Sequence, residues 1–188
     1  KDVKSIFTGL RPLIYKENKA SKSLSRKHSV IQSKRGVFHL LGGKWTTYRK
    51  MGKDTIDLVV SKIDFNSGPS KTEFLKIFGH QKTISWKDPL HVYGSEKEVV
   101  TSMGSLEPLS SILPITEAHV IYAVKHEMAQ TIEDVLSRRT RCLLLDAKES
   151  KKIAPLIAEI MSKHLIVKEN WEKEQIKLFL KLATKYHL

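Results

Sequence analysis

Cysteine is almost missing from this 188-residue chain. Cys142 stands alone, so no intramolecular disulfide can form and a reducing compartment is the simpler expectation. Long apolar runs are missing too. The richest stretches, Val37 to Leu41 and Leu143 to Leu145, fall well short of the roughly 20 residues that cross a bilayer. The opening Lys1 to Ile14 holds neither a continuous apolar segment nor a small-residue cleavage site, so it does not read as a signal peptide. A soluble or at most peripheral protein is expected. No Gly-x-Gly-x-x-Gly occurs, which removes the dinucleotide fingerprint. The nucleotide P-loop is absent as well, because Phe38 occupies its first glycine position and Trp45 follows Lys44. His126-Glu127 lacks the second histidine of a zinc-protease helix, since Gln130 stands there, and no metal site is expected among the scattered histidines.

Acidic side chains are scarce in one region only. Residues 1–53 carry ten lysines and four arginines against Asp2 and Glu17, a net of +12, whereas residues 54–188 contribute only +1 of the total of +13. An anion is expected near the first third. A basic cluster also suits a solvated face or diffuse affinity for nucleic acid, and both readings stay open on charge alone. With 40% apolar residues the chain can bury a core and fill one or two small domains.

Val3 to Leu10, His28 to Ser33 and Gly36 to Leu41 are short, rich in β-branched or aromatic residues, and bounded by turn formers or charge, which predicts strands. From Thr46 the period changes. Tyr48, Met51, Thr55, Val59 and Ile63 recur at helical spacing, and the helix is expected to end near Ile63. Asn66-Ser67-Gly68-Pro69-Ser70 is a cluster of turn formers and the candidate domain boundary, dividing 1–66 from 67–188. Beyond it Thr116 reads as an N-cap for a helix whose buried face is Val120, Val124 and Met128. Thr131 with Asp134, and Asp146 with Glu149, resemble capping boxes. Pro155 should kink or delay the helix that follows Asp146, and Trp171 to Tyr186 makes the last one. The fold class is α+β, predominantly α: short N-terminal strands, then a helical bundle.

The string Gly42-Gly43-Lys44-Trp45-Thr46-Thr47-Tyr48-Arg49 carries the chemistry, because it falls where an apolar strand turns into a helix. Such a corner presents unpaired amides at the positive end of a helix. Glycines let a ligand approach the backbone, Lys44 adds a full charge, and the threonine hydroxyls can cap the helix or bond the ligand. An anionic or electron-rich ligand is expected. The plainer alternative is that Gly42 and Gly43 merely permit the turn and Thr46 merely caps.

Gly9-Leu10-Arg11-Pro12-Leu13, Ser25-Arg26-Lys27-His28 and Gly42 to Arg49 resemble, in order and spacing, the C-terminal third of FAD-dependent glycerol-3-phosphate dehydrogenases. Tyr122 to Ala129, continuing through Asp134-Val135-Leu136 to Arg138-Arg139-Thr140-Arg141, looks like that family's helical C-terminal domain. The resemblance implies a D-amino-acid-oxidase type of architecture, in which 1–66 is the end of the flavin and substrate domain and 67–188 the helical domain. It implies that Arg11, Arg26 and Lys44 bind substrate, with Arg26 at the phosphate, since guanidinium forks suit such oxygens. It also implies that Gly43, Lys44, Trp45, Thr46 and Thr47 face the pyrimidine end of FAD, where positive charge would favour the reduced flavin.

The implied reaction is oxidation of glycerol 3-phosphate to dihydroxyacetone phosphate, with a quinone or oxygen as final acceptor. The catalytic base is unknown and is expected upstream of this chain, so His28 is read as a strand or surface residue. Glu127, Arg138, Arg139 and Arg141 are read as ion pairs that orient helices. FAD is not expected to bind the 188-residue chain alone. The location is expected to be cytoplasmic, with peripheral contact at the inner membrane face and a homodimer left open, and no nucleic acid as partner. Two other classes are weighed against this: a basic nucleic-acid or anionic-surface binder, and a helical protein-interaction module.

Overall fold

The computed structural model describes residues 2–10, 14, 27–63 and 65–187. It divides into two compact units, Gly9–Ile77, and Lys1–Thr8 with Phe78–Leu188.

The Gly9–Ile77 unit is a hairpin followed by a helix. Strand β1 (Ser29–Gln32) pairs antiparallel with β2 (Phe38–Leu41), with Ser29 opposite Leu41 and Gln32 opposite Phe38. Ser33 closes the turn: its amide donates to the Val37 carbonyl at 2.8 Å, and its carbonyl accepts from Gly36 at 3.0 Å. After β2 the chain bends through Gly42 and Gly43, makes one 3-10 turn (Trp45–Thr47) and continues as α1 (Tyr48–Lys62). The expected helix is present, and its half-buried face is Met51, Thr55 and Val59. Lys50 pairs with Asp54 and Lys53 with Asp57, each one helical turn apart, which supports a helix with little tertiary cover.

The other unit is helical: α2 (Lys97–Met103), α3 (Glu117–His126), α4 (Cys142–Leu145), α5 (Ala147–Ser162) and α6 (Trp171–Ala183), with a 3-10 stretch His91–Glu96 and a π-helical turn Asp134–Arg139. Its core gathers Val120, Ile132, Leu136, Leu143, Ile157, Met161 and Phe179, all buried. On α5 the buried Ile153, Ile157, Ile160 and Met161 fall at the helical period that the sequence shows, and α6 packs against that helix. A smaller cluster joins Leu90, Val100, Ala118 and Tyr122. Together with the β1–β2 hairpin this is an α+β protein dominated by helix.

The caps are in place. Thr116 accepts from the His119 amide at the start of α3, and Thr131 and Asp134 bond each other reciprocally. At α5 the device works one way. Asp146 accepts from the Glu149 amide at 2.9 Å, while the Glu149 carboxylate takes the Ser110 hydroxyl and Lys152. Pro155 does not interrupt α5, because it lies on the exposed side, where the Lys151 carbonyl that loses its partner can turn to water.

Two expectations are corrected. Val3 to Leu10 forms no strand; Lys4 and Ile6 bond instead to Ala147 and Tyr186, and the Ser5 hydroxyl to the Leu143 carbonyl, so helix ends take the backbone groups that a neighbouring strand would have used. Met128 does not extend the face of Val120 and Val124. The helix stops at His126, and Met128 sits at φ 59° with 81% of its surface exposed.

Candidate functional site

Each glycine of the strand-to-helix corner is fixed by its surroundings. Gly43 has φ +90°, and a Cβ there would lie 2.5 Å from the Met51 sulfur. Gly42 has φ +68°, and its Cβ would press on the Lys27 carbonyl oxygen at 3.0 Å. These positions demand glycine for the turn itself, as the plainer reading held. The turn is followed by three residues, Lys44, Trp45 and Thr46, that are exposed.

Lys44 follows in an extended conformation (φ −138°, ψ 151°) and heads the helix. Thr47 ties it down, since its hydroxyl donates to the Lys44 carbonyl at 3.0 Å and accepts from the Lys44 amide at 3.3 Å. The first helical bond runs from the Thr47 amide to the Lys44 carbonyl, so the amides of Trp45 and Thr46 precede any intrahelical partner. Lys44, Trp45 and Thr46 are exposed; Trp45, 88% exposed, has its ring 6.1 Å from that of Tyr48. Gly43, Lys44, Trp45, Thr46 and Thr47 are thus brought together at one helix start, with Lys44 the charged group on it. Arg11 and Arg26 lie outside the described residues.

Behind the corner is a pair that no local pattern announces. His28 Nε2 lies 2.9 Å from Asp54 on α1, and the same carboxylate takes Lys50 at 3.0 Å. The Lys50 ammonium, helped by His28, holds the Asp54 carboxyl below its ordinary range. His28 is therefore more than a strand residue: it joins the start of β1 to the helix, and a Cβ on Gly43 would touch its Cβ at 3.3 Å. The sequence carried no signal for this contact beyond an isolated histidine and an acid on a basic helix.

Of the four charged residues expected to orient helices, Glu127, Arg138 and Arg139 are engaged and Arg141 is the exception. Arg138 pairs with Glu133 at 2.6 Å and Asp134 at 2.8 Å. Arg139 donates to the Glu127 carbonyl at 3.0 Å from Nε, and its Nε lies 3.9 Å from the Glu127 carboxylate. Arg141 has no ion pair among the described residues. Among those residues no helix is long and apolar enough to cross a membrane, and no cluster of three or more histidine, cysteine or acidic side chains could hold a metal.

Comparison with known proteins gives this geometry a context. The family model described as the C-terminal domain of alpha-glycerophosphate oxidase matches residues 38–176. The chain is similar to the mitochondrial glycerol-3-phosphate dehydrogenases of Mus musculus, at 34% identity, and Homo sapiens, at 33%, over 98% of its length and 28% of theirs. It is 32% identical to the probable mitochondrial glycerol-3-phosphate dehydrogenase of Dictyostelium discoideum, covering 33% of that protein. The chain therefore spans about a third or less of the relatives it matches.

The relatives also correct one expectation. They are named mitochondrial, which points to a mitochondrial location and overturns the cytoplasmic one. A single cysteine does not discriminate between the cytoplasm and the mitochondrion. Because the match runs from β2 to α6, taking in both the glycine corner and the helical core, the chain belongs to the family of the C-terminal domain of alpha-glycerophosphate oxidase.

Proposed function

We propose that this chain is the C-terminal part of an FAD-dependent glycerol-3-phosphate dehydrogenase, and that its contribution to the site is the corner at Gly43 to Thr47. The observation that carries the reading is the corner's construction: a glycine at φ +90°, an exposed lysine, and a helix start whose first amides are uncovered. Such a donor set fits the electron-rich pyrimidine edge of a flavin. When bound, FAD supplies the acceptor for the hydride from the secondary alcohol of glycerol 3-phosphate.

The residues of this chain do the holding. Backbone amides at Trp45 and Thr46 orient the ring edge, and Lys44 offsets negative charge that develops there. Thr47 keeps Lys44 extended by bonding both its backbone groups, so the charge is positioned before the ligand arrives. Gly43, by leaving its Cβ side open to Met51, lets the helix approach closely enough for this. Arg11 and Arg26 are the proposed substrate ligands, Arg26 at the phosphate, and Lys44 the residue shared by substrate and flavin. The product would be dihydroxyacetone phosphate, and the electrons would leave to a quinone or to oxygen. The chain alone, holding one wall of the cavity, is expected to have negligible affinity for FAD.

The test uses the longer protein that carries this chain. Arg26→Ala should raise the KM for glycerol 3-phosphate with a smaller effect on kcat. Lys44→Ala should slow flavin reduction about a hundredfold, the scale of losing one preorganised donor to developing charge. An unchanged KM removes Arg26 from the phosphate site. Unchanged flavin reduction in the lysine variant overturns the role of the corner.

A further inference from the structure

The helical unit carries a second polar cleft that the dehydrogenase reading leaves unused. Its volume is about 510 Å³, the size of a small-molecule site, and its polar lining includes Tyr93, His119, Glu127, Arg139 and Arg141. Three of these present donors that no described residue takes. His119 is only 6% exposed, and its Nδ1 accepts from the Thr116 amide at 3.0 Å. The neutral ring must then carry its proton on Nε2, which bonds no described residue and, since no buried side-chain nitrogen or oxygen among them is left unsatisfied, opens to solvent. Burial holds the His119 pKa down, so the neutral form is the one present. The Tyr93 ring lies 5.4 Å from that of His119, and its hydroxyl also lacks a partner among the described residues. Burial, reinforced by the Glu127 charge, pushes its pKa up and keeps it a donor.

Arg141 is the third. Its two arginine neighbours are committed, Arg138 to two carboxylates and Arg139 to the Glu127 carbonyl and carboxylate. Arg141 is exposed, without an ion pair among the described residues, and held at φ 60°, ψ 17°, a left-handed conformation that a side-chain-bearing residue adopts at a cost. Since Arg139 balances Glu127, the surplus positive charge in the cleft belongs to Arg141.

We propose that this cleft binds a small oxyanion, with the Arg141 guanidinium as the principal ligand and the Tyr93 hydroxyl and His119 Nε2–H as secondary donors. The oxygens are those of a phosphate ester or of a carboxylate; both offer the planar or tripodal acceptor set that a guanidinium fork takes. The inference does not depend on the flavin reading, because every group it uses lies between Tyr93 and Arg141.

Orthophosphate and succinate, titrated separately into the 188-residue chain, distinguish the two sources. Calorimetry and the His119 ring signals follow the binding. One of the two should saturate a single site, and the tighter binder names the chemistry. Arg141→Gly suits the left-handed backbone, so it should keep the fold while weakening binding about ten- to a hundredfold. Arg141→Lys keeps the charge without the fork and should still weaken it several-fold. Tyr93→Phe should cost about three- to tenfold. Arg35→Ala, in the basic β1–β2 turn, should change nothing. The proposal is overturned if neither anion saturates, if both Arg141 variants bind as the parent chain does, or if Arg35→Ala weakens binding as much as Arg141→Gly, which would mean diffuse charge alone.

Discussion

Two regions of one polypeptide follow different rules here. No described residue of the Gly9–Ile77 unit is buried, whereas the buried core from Leu90 to Ala183 lies wholly in the helical unit. The first unit is organised by local devices: a hairpin turn, two glycines with positive φ, a threonine tie at Lys44, and lysine–aspartate pairs along α1. A 15-residue helix held this way is close to the limit of what propensity alone sustains. The second unit is organised by burial, with caps added at its helix ends. Local devices shape a surface for a ligand; a core holds a fold.

The sharpest way to break that contrast is a pair of truncations. Leu136 is fully buried, so Leu136→Ala should lower the unfolding free energy of the helical unit by about 2–5 kcal/mol, read as a shift of the urea midpoint. Ile56 on α1 is 59% exposed, and Ile56→Ala in the same chain should change it by less than about 0.5 kcal/mol. Equal losses would mean that α1 shares the core. In the longer protein the comparison sharpens further: if α1 packs there against other sequence, Ile56→Ala becomes costly while Leu136→Ala stays as it was.

A smaller effect separates two glycines within the local unit. Gly36 and Gly43 both have positive φ, at +83° and +90°. A Cβ on Gly36 meets open space, but one on Gly43 meets Met51 at 2.5 Å. Gly36→Ala should therefore cost only the conformational penalty, about 1 kcal/mol, and Gly43→Ala about 1–3 kcal/mol because the helix must also shift. Hydrogen exchange of the β1 and β2 amides reads the difference, faster in the Gly43 variant. Similar exchange in both would show that Met51 gives way freely and that the corner is not held by its fit.

The local character of that unit explains why so much of the corner was legible in the sequence. The strand before Gly42, the helix after Thr46 and the caps at Thr116, Thr131 and Asp146 are each decided within four residues, and each reads correctly. What failed was decided at a distance. Val3 to Leu10 looks like a strand until Ile6 finds Tyr186, and His28 looks idle until Asp54 arrives from the next element. The π-helical turn of Asp134–Arg139 has no periodic signature either; it follows from the Thr140 amide and hydroxyl both reaching back to the Val135 carbonyl. Arg141 shows the same limit from the other side, since the run of arginines was visible while its one uncommitted member was not.

The smallest effect compares two carboxylates held low by different means. Asp54 answers to side-chain partners, first Lys50 and then His28. Asp134 is pushed up by its partial burial, yet hydrogen bonds from the Gln130 and Thr131 amides and the Thr131 hydroxyl, with Arg138 beside it, more than reverse this. Both folded values lie below the ordinary 3.8, so each group's stabilisation is complete above that pH and is lost as the pH falls through the folded value. Salt then tells them apart. Ion pairs at the surface are screened, whereas a backbone amide within hydrogen-bond reach is not. Carboxyl carbon shifts followed by NMR at low and high salt should show the Asp54 titration moving back toward 3.8 while that of Asp134 stays in place. A capping acid that moved as far as the surface one would mean that Arg138, and not the Thr131 cap, governs it, and the line drawn between a side-chain-paired corner and a backbone-capped helical unit would fall at that residue.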